Sequence, residues 1–293
     1  MAHEINELAE GVHSFVSARE DAWHKLGVTL EDTFDAQTAL ETAHLANWDV
    51  RKKDLYTIDE SGDVITVPNR WATVYTNPVT QQAQYLGVVG SHYEPIQNEA
   101  HVELLNAVVD ESGAHFETAG SLRGGRETFV SMKLPESMNV GGQDAVDLYL
   151  VALNSHDGTS PFRFLVTPVR VVCANTQAAA NKGAKYQFGI RHVRGAQGHI
   201  QEAREALNIA NAYMDEFDVM AKELFETEIT NDTFQKIIRE AYPMPEKDAK
   251  GSLAKWQTKT ELIEDIYNGQ FNHMIAGNAW GAFNAMTERL DWY

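Results

Sequence analysis

The sequence predicts an α+β protein: a strand-rich antiparallel or mixed sheet with two or three helices, followed by a C-terminal helical region. Three observations carry this expectation. Between residues 49 and 175, short β-branched and aromatic runs alternate with turn residues. Beyond residue 200 the apolar spacing changes to the threes and fours of helices. The chain has 293 residues and is 43% hydrophobic, enough for one large core or two modest ones. The change of period sets the expected domains at 1–199 and 200–293.

Residues 35–47 (DAQTALETAHLAN) have the composition of a short helix. DVRKKDLYTID, the turn Asp59-Glu60-Ser61-Gly62-Asp63 and VITVPN then read as a hairpin, and RWATVYTN and QAQYLGVVG as a second strand pair around Pro78. NEAHVELLNAVVDES reads as a helix ending before Gly113. HFETAGSLRGG, RETFVSMKLP, DAVDLYLVALNS and FRFLVTPVRVVCAN read as four more strands. Pro168 lies inside the last of these, which predicts a bend, a bulge or an edge position.

From Ile200 through Ala203, Leu207, Ala210, Met214, Phe217 and Ala221 to Leu224, apolar residues recur at alternating spacings of three and four. This narrow seam suits one facing helix, either NDTFQKIIREAY or TELIEDIYNG of the same chain or the same helix in another subunit. Gly277–Tyr293 reads as a final helix with Trp280, Phe283, Met286 and Leu290 on its apolar face.

Composition narrows the function classes. Cys173 is the only cysteine, which excludes an internal disulfide and any zinc site built on several thiolates. No long uninterrupted apolar run occurs, and MAHEINELAE has neither a basic start nor an apolar core, so the expected location is cytoplasmic, away from membranes. Cofactors are not expected: there is no G-x-x-x-x-G-K-[ST], and no G-x-G-x-x-G ahead of a helix. A metal site is not expected either, since His192 and His199 are seven residues apart with no carboxylate between them.

The net charge is −18, but it is unevenly spread. Residues 158–201 contain Arg163, Arg170, Lys182, Lys185, Arg191 and Arg194 and no Asp or Glu. A chain this acidic repels polyanions over most of its surface, so only a concentrated local field can bind one. Tyr186 and Phe188 lie among these cations, the mixture that holds single-stranded nucleic acid by neutralisation and stacking. Arg123-Gly124-Gly125-Arg126 sits at a hairpin tip and adds two guanidiniums as phosphate contacts. Solvated cations beside core-facing aromatics, or cations paired with carboxylates from elsewhere, would give the same pattern. His156 and Cys173, with Asn175, suggest a further and weaker arrangement, a thiol nucleophile with its base.

Six motifs occur in order: Trp23-His24-Lys25-Leu26-Gly27, Tyr85-Leu86-Gly87-Val88-Val89-Gly90-Ser91-His92-Tyr93, Gly124-Gly125-Arg126, Asn154-Ser155-His156-Asp157-Gly158, Pro168 to Thr176, and Trp280-Gly281-Ala282-Phe283-Asn284-Ala285. Together they resemble the phage/plasmid-like family of domain of unknown function 932, over roughly residues 20 to 290. The resemblance implies a mobile-element setting and no particular reaction. The leading expectation is an accessory protein that binds single-stranded DNA in recombination or replication. Its role would be similar to that of phage single-strand annealing proteins, which bind DNA without a cofactor as rings or filaments, an analogy at fold level. The nucleic-acid contacts are then Arg123, Arg126, Arg163, Arg170, Lys182, Lys185, Tyr186, Phe188, Arg191 and Arg194, in a homo-oligomer. The alternatives are an acidic module that binds a host defence or replication protein, and a Cys-dependent hydrolase.

Overall fold

The computed structural model describes residues 3–100, 105, 114–135, 138–140, 144–183, 187–194, 216–217, 219–246, 251–269 and 275–292. The fold is α+β, and the chain divides into two compact units, residues 1–136 with 147–213 and residues 137–146 with 214–293. Among the described residues no helix is long and apolar enough to cross a membrane.

The first unit begins with short strands β1 (Glu7–Ala9), β2 (Val12–His13), β3 (Phe15–Ala18) and β4 (Val28–Leu30), then helix α1 (Ala36–Thr42). Asp35 caps α1 by accepting the Thr38 N–H at 2.8 Å, so the helix starts where its side chain supplies a partner for an otherwise unpaired donor. Strands β5 (Arg51–Ile58), β6 (Val64–Thr76) and β7 (Ala83–Val89) form an antiparallel three-stranded sheet. Here the sequence suggests two strands where the structure has the single strand β6. Pro68 and Asn69 lie in a register shift opposite Asp54–Tyr56, and Asn69 has φ +58. A bulge removes the need for a ladder donor at Pro68, which lets the strand run through it.

Strands β8 (His115–Leu122), β9 (Glu127–Lys133), β12 (Tyr149–Ser155) and β13 (Phe162–Thr167) follow, with β10 (Met138–Val140) and β11 (Asp144–Val146) pairing as a hairpin assigned to the second unit. Helix α2 (Ala174–Gly183) and strand β14 (Gln187–Ile190) complete the described part of the first unit. Its main sheet has the order β14-β13-β12-β9-β8-β3-β4, antiparallel except for the β3–β4 pair. Strand β12 is buried throughout, because both faces of the sheet are covered. One face carries Phe15, Phe129, Val151 and Leu165 with Val171, Cys173 and Ala180; the other carries Val130, Ala152 and Phe164.

The run FRFLVTPVRVVCAN departs from the strand expected of it. Strand β13 stops at Thr167, before Pro168, and α2 begins at Ala174. Proline has no N–H for the ladder. The chain then packs Val171, Val172 and Cys173 into the core as a connection, where the Thr176 hydroxyl accepts the N–H groups of Val172 (2.9 Å) and Cys173 (3.0 Å). Those donors are thereby satisfied without a strand partner.

In the second unit, residues 219–226 are helical and precede α3 (Asn231–Ala241), α4 (Ser252–Tyr267) and α5 (Ala279–Trp292). Phe234, Ile238, Ile263, Ile266, Tyr267, Ala282 and Ala285 form its core, and the Phe234 and Tyr267 rings stack at 3.9 Å. Gly281 is required here, since a β-carbon would meet the Ile275 carbonyl oxygen at 2.3 Å. Most of the apolar seam, residues 200–215, lies outside the described residues. Of its C-terminal end, Phe217 and Ala221 are buried, and Phe217 meets Trp280 edge-on at 6.0 Å. The expected helix at NEAHVELLNAVVDES also falls largely outside them.

Candidate nucleic-acid interface

Two of the sequence motifs meet at one end of β7. Strand β7 and the turn after it carry Tyr85 to Tyr93, and the β12–β13 turn carries Asn154 to Gly158. Gly87 lies so close to Asp157 that a β-carbon would be 2.7 Å from the Asp157 Cα. Gly158 adopts φ +79, and a β-carbon there would be 2.8 Å from Val89 Cγ1. Only glycine permits both approaches. The Tyr93 hydroxyl donates to the Ser155 carbonyl at 3.0 Å, tying the two motifs together.

Asp157 closes this turn. Its burial alone would raise the carboxyl pKa. Hydrogen bonds from Thr159 and Ser155, and the charge of Arg126, more than offset that and hold it below the usual carboxylate range. The carboxylate therefore serves the turn.

An open pocket of about 730 Å³ results, lined by Arg70, Val88, Val89, Gly90, His92, Tyr93, Gly158, Thr159, Ser160, Pro161, Arg191, His192 and Val193. Arg70 comes from β6 and reaches past Gly90; Arg191 comes from the end of β14. Neither guanidinium is within 4 Å of a carboxylate among the described residues, and the one described hydrogen bond from either guanidinium is that of Arg70 to the Asn69 carbonyl at 3.3 Å. His192 stacks on Tyr93 with ring centroids 4.9 Å apart. Burial lowers its pKa to about 4, and a weak interaction with the Glu94 backbone does little against this. Neither ring nitrogen has a hydrogen-bond partner of good geometry. His192 is thus neutral at physiological pH and adds no charge; the pocket's cations are its arginines. Burial also raises the Tyr93 hydroxyl well above its usual value, which keeps it protonated as a donor.

The cations singled out from the sequence fall into two groups. Arg123, at φ +53, is held by Glu4 at 2.8 Å, Glu127 at 2.6 Å and Gln177 at 3.0 Å. Arg170 is 12% exposed and sits between Glu117 (3.3 Å), the Ser17 hydroxyl (2.7 Å) and the Ala18 and Glu20 carbonyls. Glu117 is itself buried and also binds Arg19 at 2.8 Å. Arg170 thus ties β3 to β8, and Arg123 ties β9 to α2 and to the residues before β1. At the tip between β8 and β9, Gly124 is exposed, whereas Gly125 is packed: a β-carbon there would come within 3.2 Å of the Trp48 ring.

The second group faces outward. Arg126, Lys182, Arg191 and Arg194 are exposed. Arg163 is half-buried on β13 opposite Gly189, with its Nε lacking a partner, and Pro161 and Arg191 follow at the ends of the same strand pair. Phe188 pairs with buried Phe164, so it shares that residue's face of the sheet and not the face of Arg163. Lys185 and Tyr186 lie outside the described residues. The structure thus brings Arg163 and Arg191 onto one edge and adds Arg70, which the charge count passed over because it lies in an acidic block of the sequence. His92, Tyr93, Thr159 and Ser160 also went unassigned, although two of the quoted motifs run into them.

Cys173 is buried, its Sγ 3.6 Å from the Thr176 hydroxyl in the turn that starts α2. His156 instead bonds the Asn98 amide oxygen at 2.9 Å and lies 5.7 Å from the Trp48 ring. No described hydrogen bond joins the two.

Residues 85–293 match the family described as Domain of unknown function (DUF932). The chain belongs to this family. No curated protein and no solved structure matches it significantly. The DUF932 match begins at Tyr85, the first residue of the motif that builds the pocket, and takes in the Asp157–Gly158 turn and β14. Arg70 lies before it.

Proposed function

We propose that this DUF932 protein binds single-stranded nucleic acid along the β13–β14 edge and the adjoining pocket, as an accessory factor of a phage or plasmid. One observation carries this reading: Arg70 and Arg191 line one open site with no carboxylate partner among the described residues, in a chain of net charge −18. A local cationic site in an acidic molecule confines polyanion binding to one track, because the remaining surface repels it. Arg163 and Arg194 extend the track, and Arg126 and Lys182 lie on the outward-facing surface. Arg123 and Arg170 are left out of the contact set, since their guanidiniums already satisfy internal carboxylates. Nucleic acid binding requires no cofactor and no catalytic thiol, and the homo-oligomer expected from the sequence is part of the same reading.

A salt titration of binding to labelled single-stranded DNA is the test. If the four arginines 70, 163, 191 and 194 neutralise about four phosphates, log affinity falls with log salt at a slope of about −3. Changing Arg70 and Arg191 to Glu should abolish the shift of the DNA band, while the Arg123→Gln chain, if folded, should retain it. Salt-independent affinity, or binding that survives the double charge reversal, would sink the proposal.

A further inference from the structure

Among the described residues, the outer part of the β5–β6 hairpin pairs with no third strand. Tyr56–Ile58 pair with Val64–Thr66, whereas the ladder from β6 to β7 starts only at Trp71. A two-stranded ribbon in water is marginal by itself, and this one carries its large apolar side chains in the open. The register puts Tyr56, Ile58 and Val64 on one face, and they are 54%, 68% and 66% exposed; Ile65, on the other face, is 49% exposed. The tip is acidic, with Asp59, Glu60 and Asp63 around a turn closed by the Asp59 carboxylate, which accepts the N–H groups of Ser61 and Asp63 at 2.9 Å each. A contiguous exposed apolar patch with a charged rim marks a protein contact.

The matching surface is on the same chain. The rim of the Arg70–Arg191 pocket exposes Val88 (42%) and Val193 (44%) beside its two arginines. Apolar face and acidic tip on the arm thus meet apolar rim and cations at the pocket. The arm does not reach its own pocket. Arg70 stands near its base, about nine residues from the tip at Ser61, so a strand rising about 3.4 Å per residue carries the tip about 30 Å away.

We propose that the arm of one copy docks in the Arg70–Arg191 pocket of a second copy. Donor and acceptor surfaces differ, so the contact is heterologous and propagates head to tail into a ring or filament. It uses the pocket described above without depending on nucleic acid binding there; where both occur, arm and nucleic acid compete for the same arginines.

The test is the mass of the full-length chain in solution across concentration and salt. Assembly beyond a dimer at low salt, reversed by added salt, is expected. The arm variant Ile58→Ser/Val64→Ser alters only exposed side chains and should be folded by circular dichroism and monomeric. The pocket variant Arg70→Glu/Arg191→Glu should also be monomeric. Mixing the two should yield a one-to-one dimer, because the first retains a pocket and the second an arm. A chain that is monomeric at every concentration overturns the proposal. So does an arm variant that still assembles, a mixture that fails to pair, or a wild-type dimer that does not grow, as arm-to-arm pairing or a different protein partner would give. DNA binding by the arm variant separates the two ideas: a band shift without assembly is expected of it, and its loss in the wild type overturns the nucleic-acid reading alone.

Discussion

Protonation of His192 supplies a test of the pocket's interior that does not depend on any ligand. The ring is 6% exposed, lies against Tyr93, and has its pKa lowered from 6.5 to about 4 because burial disfavours the charged form. In the unfolded chain the same imidazole takes up its proton near pH 6.5. Between these two values the unfolded state binds more protons, so stability falls as pH falls, and it is full only above pH 6.5. At about 1.4 kcal/mol per pH unit, the loss on going from pH 6.5 to pH 5 is about 2 kcal/mol, and the whole window is worth on the order of 3 kcal/mol. His3, His24 and His115 are also lowered, chiefly by burial, and contribute in the same direction. Comparison with His192→Phe isolates one residue, since phenylalanine keeps the stack on Tyr93 and removes the titration. Urea unfolding of both proteins at pH 7 and pH 5 is the assay. The stability gap between them should move by about 2 kcal/mol in favour of the variant on acidification. A gap that stays constant would refute the buried, neutral ring.

Other expectations follow from packing and charge. Gly87→Ala or Gly158→Ala places a β-carbon 2.7 Å or 2.8 Å from neighbouring atoms, and should lower the denaturation midpoint by the equivalent of about 1–3 kcal/mol, with weaker DNA retention. Glu117→Ala leaves buried Arg170 only the exposed Glu20 carboxylate, 3.9 Å away, and should cost about 3 kcal/mol in urea unfolding. Adding Arg170→Ala to that variant should cost less than the sum of the two single changes, because they share one interaction. Cys173→Ala should lower stability by about 1 kcal/mol and leave DNA binding unchanged in a band-shift titration, since the thiol is a buried neighbour of Thr176.

Where local chemistry decided the structure, the sequence was readable. The β5–β6 turn follows from Asp59 and Gly62, α1 from the composition of residues 35–47, and α5 from its apolar period. Long-range packing decided the rest. Strands β1 to β4 are two to four residues long, too short for a periodic signal, yet β3 pairs with β8 in the main sheet. The residues Val169 to Cys173 have strand composition and form a buried connection, because Pro168 ends the ladder and Thr176 satisfies the next donors. Helix α2 was hidden by the strand-like run before it, although Gln177 to Ala180 is helix-favouring.

The same division explains the candidate site. Counting charge along the chain finds every cation of residues 158–201, but charge is neutralised in space. Arg170 belongs to that acid-free segment and is enclosed by Glu117 from β8 and backbone from residues 18 to 20. Arg70 belongs to an acidic block and ends without a carboxylate partner among the described residues, because the chain turns at Gly90 and Gly158 bring β7 and the end of β14 up to it. The glycines are therefore the more informative sequence signal. Gly87 and Gly158 are needed for backbone contact between two distant segments, and that contact, more than the number of nearby cations, determines where an unpaired guanidinium meets open solvent. A substitution at either glycine should accordingly alter anion binding without changing the charge of the chain at all.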